Sequence, residues 1–395
     1  MGLDIGIGFS QNENVFKASE EAAEEARANL DAKRIDLAIV MSTPHYSPQD
    51  VHPVIDNSLK QTRIIGGTTL GIILPDGLKR RGVAVILFNS DTVKLKPIHA
   101  QHLHLKDLKP AGQSFIRESG DQFGLRDQRF LMFFFDGLLE NMSEFIHGVA
   151  MENGDFFPVL GGGCSDKLMF SKTYQYHDKE VSQKSASGVV FGGDISLFMS
   201  RRHGWKPLGK PRLVKQSRRN IIEKIGSGQA FHLYEEFFQN NLGFLKNDVF
   251  GKLNSRYPLG LFLKNKQEYV VQNVMDILED GSIACQDTVS SNSEVHIMIG
   301  NKHSCLQSAE AAAQELKKNL DNRTPSFIFI FESAMRWQVL KQSWSQEFKI
   351  VTDILGKKCP VIGMLTYGEI FNPGILNYPG RKYLLNGNII LTAVV

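Results

Sequence analysis

The sequence predicts an α/β protein of two modules, with mixed sheets flanked by helices and built from a repeated strand–helix–glycine-turn unit. Three observations carry that prediction. An apolar strand, a helical stretch and a glycine turn recur in that order three times. A further β-rich segment returns after each turn. Two alanine-rich helices with closely matching residues each stand just before one of the apolar strands. Helices alternating with strands, together with returning hairpin-like strands, imply layered mixed sheets.

The elements follow in order. A β-like run at 4–9 precedes EEAAEEARANLD at 20–31, and a second at 294–299 precedes EAAAQELKKNLD at 310–321. The apolar strands are 36–41, 130–135 and 327–331, and the helical stretches after them are 49–60, 138–151 and 345–355. The first turn reads Ile64-Ile65-Gly66-Gly67-Thr68-Thr69-Leu70-Gly71. The second reads Val159-Leu160-Gly161-Gly162-Gly163-Cys164-Ser165-Asp166, and the third Val361-Ile362-Gly363-Met364-Leu365-Thr366-Tyr367-Gly368-Glu369. The returning segments are 82–88, 188–199 and 387–394. Segment 204–281 is different, with Trp205-Lys206-Pro207-Leu208-Gly209, a helical patch at 230–239 and a strand at 269–272. The transition near 200 divides the chain into modules 1–200 and 201–395.

Bulk properties exclude several classes. At 395 residues the chain is too long for one ordinary core and suits two or three domains. Its 42% hydrophobic and 22% charged residues are those of a globular protein, so global disorder is excluded. A formal charge of +3 argues for neither nucleic acid nor a membrane surface. The basic runs at Lys79-Arg80-Arg81, Arg201-Arg202-His203 and Lys215-Gln216-Ser217-Arg218-Arg219 read as solvated rims. Cys164, Cys285, Cys305 and Cys359 form no C-x-x-C pair, which fits a reducing compartment rather than a zinc knuckle or disulfide scaffold. The N-terminus has no basic stretch followed by a long apolar one, and no apolar run approaches the ~20 residues of a spanning helix. The expectation is a cytoplasmic protein.

The three turns, in this order and spacing, resemble the FIST family (F-box and intracellular signal transduction). The first two turns, the second entered through Phe157-Pro158, resemble its N-terminal module. The stretch His203-Gly204-Trp205-Lys206-Pro207-Leu208-Gly209, then 225–234, then Pro360-Val361-Ile362-Gly363 with Thr366-Tyr367-Gly368-Glu369-Ile370-Phe371, resembles its C-terminal module. One departure stands out: the family's first turn usually continues Gly-Glu, and here Ile72 follows Gly71, although Glu369 keeps an acid in the last turn. The resemblance implies sensory binding of small molecules such as amino acids. It also brings in a haem-bearing, nitric-oxide-sensing subset (NosP-like) that regulates a partner histidine kinase or cyclic-di-GMP enzyme. The chain looks like the free-standing form, a homodimer being possible.

On chemistry, glycines at strand ends allow close backbone approach, so the amides of Gly66, Gly67, Gly162 and Gly163 are candidates to line a ligand site. Thr68, Thr69, Ser165, Thr366 and Tyr367 would add hydroxyls, and Glu369 an acceptor for an amino group. The alternative is that these glycines only permit tight packing. For haem, the candidate axial residues are His45, just past an apolar strand and also the candidate metal ligand, His203 beside Trp205, and Cys164 on the second turn. His99, His102 and His104 read as exposed. No P-loop, G-x-S-x-G elbow, H-E-x-x-H or dinucleotide fingerprint is present, so the expectation is a binder and not an enzyme. Asp136 reads as a helix cap. The aromatic stretch of Phe237, Phe238, Phe244 and Phe250, with Lys246 and Lys252, reads as a core helix or a docking face.

Overall fold

The two matching helices show how local sequence sets local structure. Helix Val15–Ala28 starts where the Asn14 side chain accepts the N–H groups of Phe16 and Lys17. Helix Lys302–Leu320 starts at Asn301, in a reciprocal capping box with Ser304. The first buries Ala18, Ala22, Ala23 and Ala26, and the second Ala309, Ala312 and Ala313. These small faces allow close approach to a strand. A Cβ at Gly8 would lie 2.1 Å from the Ala22 carbonyl oxygen.

The structure is a computed structural model that describes residues 3–104, 107–120, 127–238, 253–263, 268–356, 359–373 and 384–395. Three six-stranded sheets share one strand order. The first runs Asp4–Ser10, Val83–Asn89, Leu37–Ser42, Ile64–Thr68, Gln175–His177, Glu180–Ser182. The second runs Val93–Ala100, Ala186–Gly193, Gln128–Asp136, Val159–Cys164, Glu369–Asn372, Leu384–Leu385. The third runs Leu197–His203, Asn388–Val394, Phe327–Ser333, Val361–Thr366, Ile72–Leu74, Gly77–Lys79. In each, the apolar strand pairs in parallel with its glycine-turn strand, and the other pairings are antiparallel.

The last two strands of every sheet come from another unit. The strand pair that follows the second turn completes the first sheet, the pair after the third turn completes the second, and the pair after the first turn completes the third. The three units therefore exchange strand pairs in a closed cycle.

Side-chain alternation follows from this arrangement. Ile39, Met41, Phe130, Met132, Phe134, Phe327, Phe329 and Phe331 meet in one central core between the sheets. Phe134 stands 6.1 Å, ring centre to ring centre, from both Phe329 and Phe331. The alternate residues face helices: Ala38 and Val40 in one layer, Leu131, Phe133 and Phe135 in a second, Ile328 and Ile330 in a third. Both faces being covered, the strands read as unbroken apolar runs.

Two readings need correction. Segment 188–199 is two strands in different sheets, Ala186–Gly193 and Leu197–His203, split by the left-handed Gly193 (φ 87°). The run at 294–299 is a strand, Glu294–Gly300, but it does not play the part of Asp4–Ser10; Leu197–His203 does. Strand Glu294–Gly300 belongs instead to an inserted antiparallel sheet that opens with Trp205–Arg218 and carries its own core around Val214, Ile222 and Tyr234. This insertion contains helix His232–Phe238, and Phe244, Lys246, Phe250 and Lys252 lie outside the described residues. Among the described residues no helix is long and apolar enough to cross a membrane.

Candidate functional site

The strand exchange carries the three glycine turns to one junction, where they bond to one another. Ser165 N–H donates to Thr68 O (3.0 Å), Leu365 N–H to Gly71 O (2.9 Å), Tyr367 N–H to Gly163 O (2.9 Å) and Gly163 N–H to Gly368 O (2.9 Å). The Ser165 hydroxyl donates to Leu365 O at 2.6 Å and accepts Leu70 N–H at 2.8 Å. Thr69 Oγ1 lies 2.8 Å from Leu365 O. The predicted residues Thr68, Thr69, Gly163, Ser165 and Tyr367 are thus brought together, but their polar groups are largely spent on each other. Gly66, Gly67 and Gly162 are buried beside them, and a Cβ on Gly67 would lie 2.4 Å from Cys164 Sγ.

Glu369 is fully buried. Its carboxyl accepts from the Thr366 hydroxyl (2.7 Å) and Asn388 N–H (3.1 Å). Burial pushes its pKa up to about 8, so it is mostly protonated at neutral pH.

The haem candidates separate clearly. Cys164 is sealed in the core, and burial pushes its thiol up to about 12, far from a thiolate. His203 has both ring nitrogens engaged. Nε2 is 3.0 Å from Tyr269 O, and Nδ1 accepts Trp205 N–H at 3.3 Å. Burial pushes it down to about 4. His45 alone is exposed, with Nδ1 3.3 Å from Thr43 Oγ1 and no partner for Nε2 among the described residues. Partial burial lowers its pKa, aided by the charges of Lys167, Arg81 and Arg80. Among the described residues no group of three or more His, Cys, Asp or Glu is placed to hold a metal ion.

His99 corrects its reading as exposed: it is half-buried and stacks on His177, ring centres 3.9 Å apart. Asp136 caps a turn rather than a helix, accepting Leu138 N–H (3.0 Å), the Thr173 hydroxyl (2.7 Å) and Lys184 N–H (2.8 Å).

The junction opens to solvent through a cleft of about 230 Å³ between the first and second turns. Its walls include Tyr46, Thr68, Asp166, Lys167, Lys172 and Tyr174. Of these, only Thr68 was singled out from sequence. Asp166 is 6% exposed and organises the loop that forms one wall, accepting N–H groups from Met169, Phe170, Ser171 and Lys172. Burial works against its charge, but these donors and the Tyr367 hydroxyl hold its pKa below the ordinary range. Near the cleft, Arg81 stands 5.7 Å from the Tyr46 ring centre and Arg80 3.9 Å from that of Trp337. The run Lys79-Arg80-Arg81 was visible in the sequence, but its place beside the junction was not.

Two family models match most of the chain. Residues 36–227 match the FIST N domain and residues 230–372 the FIST C domain. Two Mycobacterium tuberculosis proteins, "Uncharacterized protein MT0656" and "Uncharacterized protein Rv0628c", are each 22% identical over 237 residues, 59% of this chain and 59% of their own length. Among solved structures, a cyanuric acid hydrolase from A. caulinodans aligns with TM-score 0.39 and a chorismatase with 0.37. Both are 6% identical, covering 100% of this chain and 99% of theirs. The chain belongs to the FIST family of ligand-binding sensory domains in signal transduction.

Proposed function

We propose that this protein is a sensor that takes a small polar ligand into the cleft at the turn junction, and that it binds without turning the ligand over. One observation carries the reading: the cleft wall formed by the second unit is wired to the third unit and, through it, to the insertion. Asp166 in that wall receives the Tyr367 hydroxyl of the third turn at 2.7 Å. The Tyr367 carbonyl in turn accepts from Gln286 Nε2 of the inserted sheet at 3.0 Å. A ligand that binds better to one arrangement of the Asp166 loop would shift the population of that arrangement. A partner, such as the histidine kinase or cyclic-di-GMP enzyme that the family resemblance implies, would read the shift. The test is a thermal-shift screen of small polar compounds, with Met169→Trp to fill the cleft from an exposed position (Met169 is 73% exposed). A hit that stabilises the native protein but not the variant supports the cleft. Hits that stabilise both equally would refute it.

A second reading, haem-based sensing of nitric oxide, rests on His45. Its free Nε2 and lowered pKa suit a neutral axial ligand, whereas His203 and Cys164 do not fit. Haem would supply the gas-binding iron, and His45 would hold it from the cleft rim. A Soret band that is lost in His45→Ala supports this reading. Absence of saturable haem uptake by the native protein would end it.

A further inference from the structure

Two cations line this cleft and two more stand beside it, and the carboxylates near them leave most of that charge unanswered. Lys167 and Lys172 line it, Arg81 leans on its wall residue Tyr46, and Arg80 is the next residue along from Arg81. The charges of Lys167, Arg81 and Arg80 add to burial in lowering the pKa of His45, whose neighbours Pro44 and Tyr46 line the cleft. Asp166, the acid in the lining, is turned inward onto four backbone N–H groups and the Tyr367 hydroxyl. Glu13 meets Arg81 at 3.5 Å but is itself 90% exposed, so the pair is weak. Among the described residues, Arg80, Lys167 and Lys172 have no ion pair.

Arg80 is the most telling of these. It is half-buried, and its Nη1 is buried without a hydrogen-bond partner among the described residues; Arg81 Nε is in the same state. Stacking on Trp337 engages the face of the guanidinium but leaves its in-plane N–H donors unused. A desolvated guanidinium N–H without an acceptor is costly, and carboxylate and phosphate oxygens are the acceptors that match its fork.

We infer that the ligand of this cleft is a small anion, bearing a carboxylate or a phosphate, held by Arg80, Arg81 and Lys167. This inference rests on the cleft reading above and adds the ligand's charge class to it.

The experiment is a tryptophan-fluorescence titration of the full chain, backed by calorimetry, with inorganic phosphate, succinate and uncharged succinamide as probes. Trp337 under Arg80 supplies the optical signal, and Trp337→Phe identifies it. Saturable binding of phosphate or succinate is expected, weakened about tenfold or more in Arg80→Gln and in Lys167→Gln. Lys167 is exposed, so the second variant tests the charge without disturbing the fold. Tighter phosphate binding would point to a phosphorylated ligand, tighter succinate binding to a carboxylate. Lack of saturation by either anion, or an affinity unchanged from that of the native chain in either variant, overturns the proposal. Succinamide binding that Met169→Trp abolishes would overturn the anion while leaving the cleft standing. Anion binding that is unchanged in Met169→Trp would instead remove the cleft.

Discussion

The phenol of Tyr367 donates to Asp166 Oδ1 at 2.7 Å, joining the third glycine turn to the second across 201 positions of sequence. The Tyr367 ring stacks on Phe170, ring centres 4.4 Å apart, so the contact is packed as well as polar. Tyr367→Phe keeps the stack and removes the donor. A hydrogen bond to a charged group contributes roughly 1.5–3 kcal/mol, so that order of loss is expected in chemical denaturation. An unchanged midpoint would show that the bond is not a structural tie.

Gly66 has φ 134°, and a Cβ there would lie 1.9 Å from the Val40 carbonyl oxygen in the adjacent parallel strand. Gly66→Ala must push apart the first turn strand and its neighbour. Loss of soluble folded protein, or a fall of several kcal/mol, is expected by circular dichroism melts. Gly77 also has positive φ (117°) but nothing within 4 Å of its Cβ position, so Gly77→Ala should cost far less.

His177 is buried against His99, and burial followed by that neighbour pushes its pKa down to about 4. His203 is also pushed down to about 4. A lowered histidine pKa means the unfolded chain binds more protons between about 4 and about 6.5, so stability rises with pH across that window. The melting temperature should therefore fall as pH drops from neutral toward 4. His177→Phe should flatten part of the slope, which corresponds to at most about 3 kcal/mol for this group. A slope unchanged in the variant would mean His177 is not the group responsible.

Glu369 acts in the opposite direction. Its folded pKa of about 8 lies above the unfolded value, so it costs stability progressively as pH rises from about 4.5 to about 8. Glu369→Gln keeps an acceptor for Asn388 N–H and removes the titration. The variant should gain on the native protein at pH 8 and match it near pH 5 in paired melts.

Arg336 is fully buried and paired with Glu347, itself 1% exposed, while Glu332 beside them accepts from Trp344 Nε1 at 2.6 Å. Burial and the nearby Glu347 raise Glu332 well above its ordinary pKa, so one guanidinium serves two acids of which one stays neutral. Arg336→Met strands Glu347 and should cost roughly 3–5 kcal/mol. Arg336→Met with Glu347→Met should recover much of that loss. Additive losses in the double-mutant cycle would show that the pair is not coupled.

Much of the fold was readable in short windows. The apolar runs became Leu37–Ser42, Gln128–Asp136 and Phe327–Ser333, and the helical stretches became Pro48–Leu59, Met142–Asn153 and Trp344–Leu355. The candidate site was readable in part. The turns do converge, yet Glu369 and the glycine amides were expected to face a ligand and are instead spent inside the junction. Asp166 at the end of the second turn and the run around Arg80 were visible in the sequence, but what they face was not, because a capping acid and a surface cation look alike in sequence whatever they face.

The sequence by itself determined the α/β class, the three-fold recurrence of its unit and the FIST resemblance. These live in residue periodicity, helix caps and turn glycines, which act over a few neighbouring positions. Only the tertiary structure decided that strand pairs are exchanged in a closed cycle, that Leu197–His203 and not Glu294–Gly300 edges the third sheet, and that Arg80 and Arg81 stand beside Asp166. Those outcomes depend on backbone pairing and burial between segments up to hundreds of residues apart, where the energy belongs to the assembled core and not to any one stretch of chain.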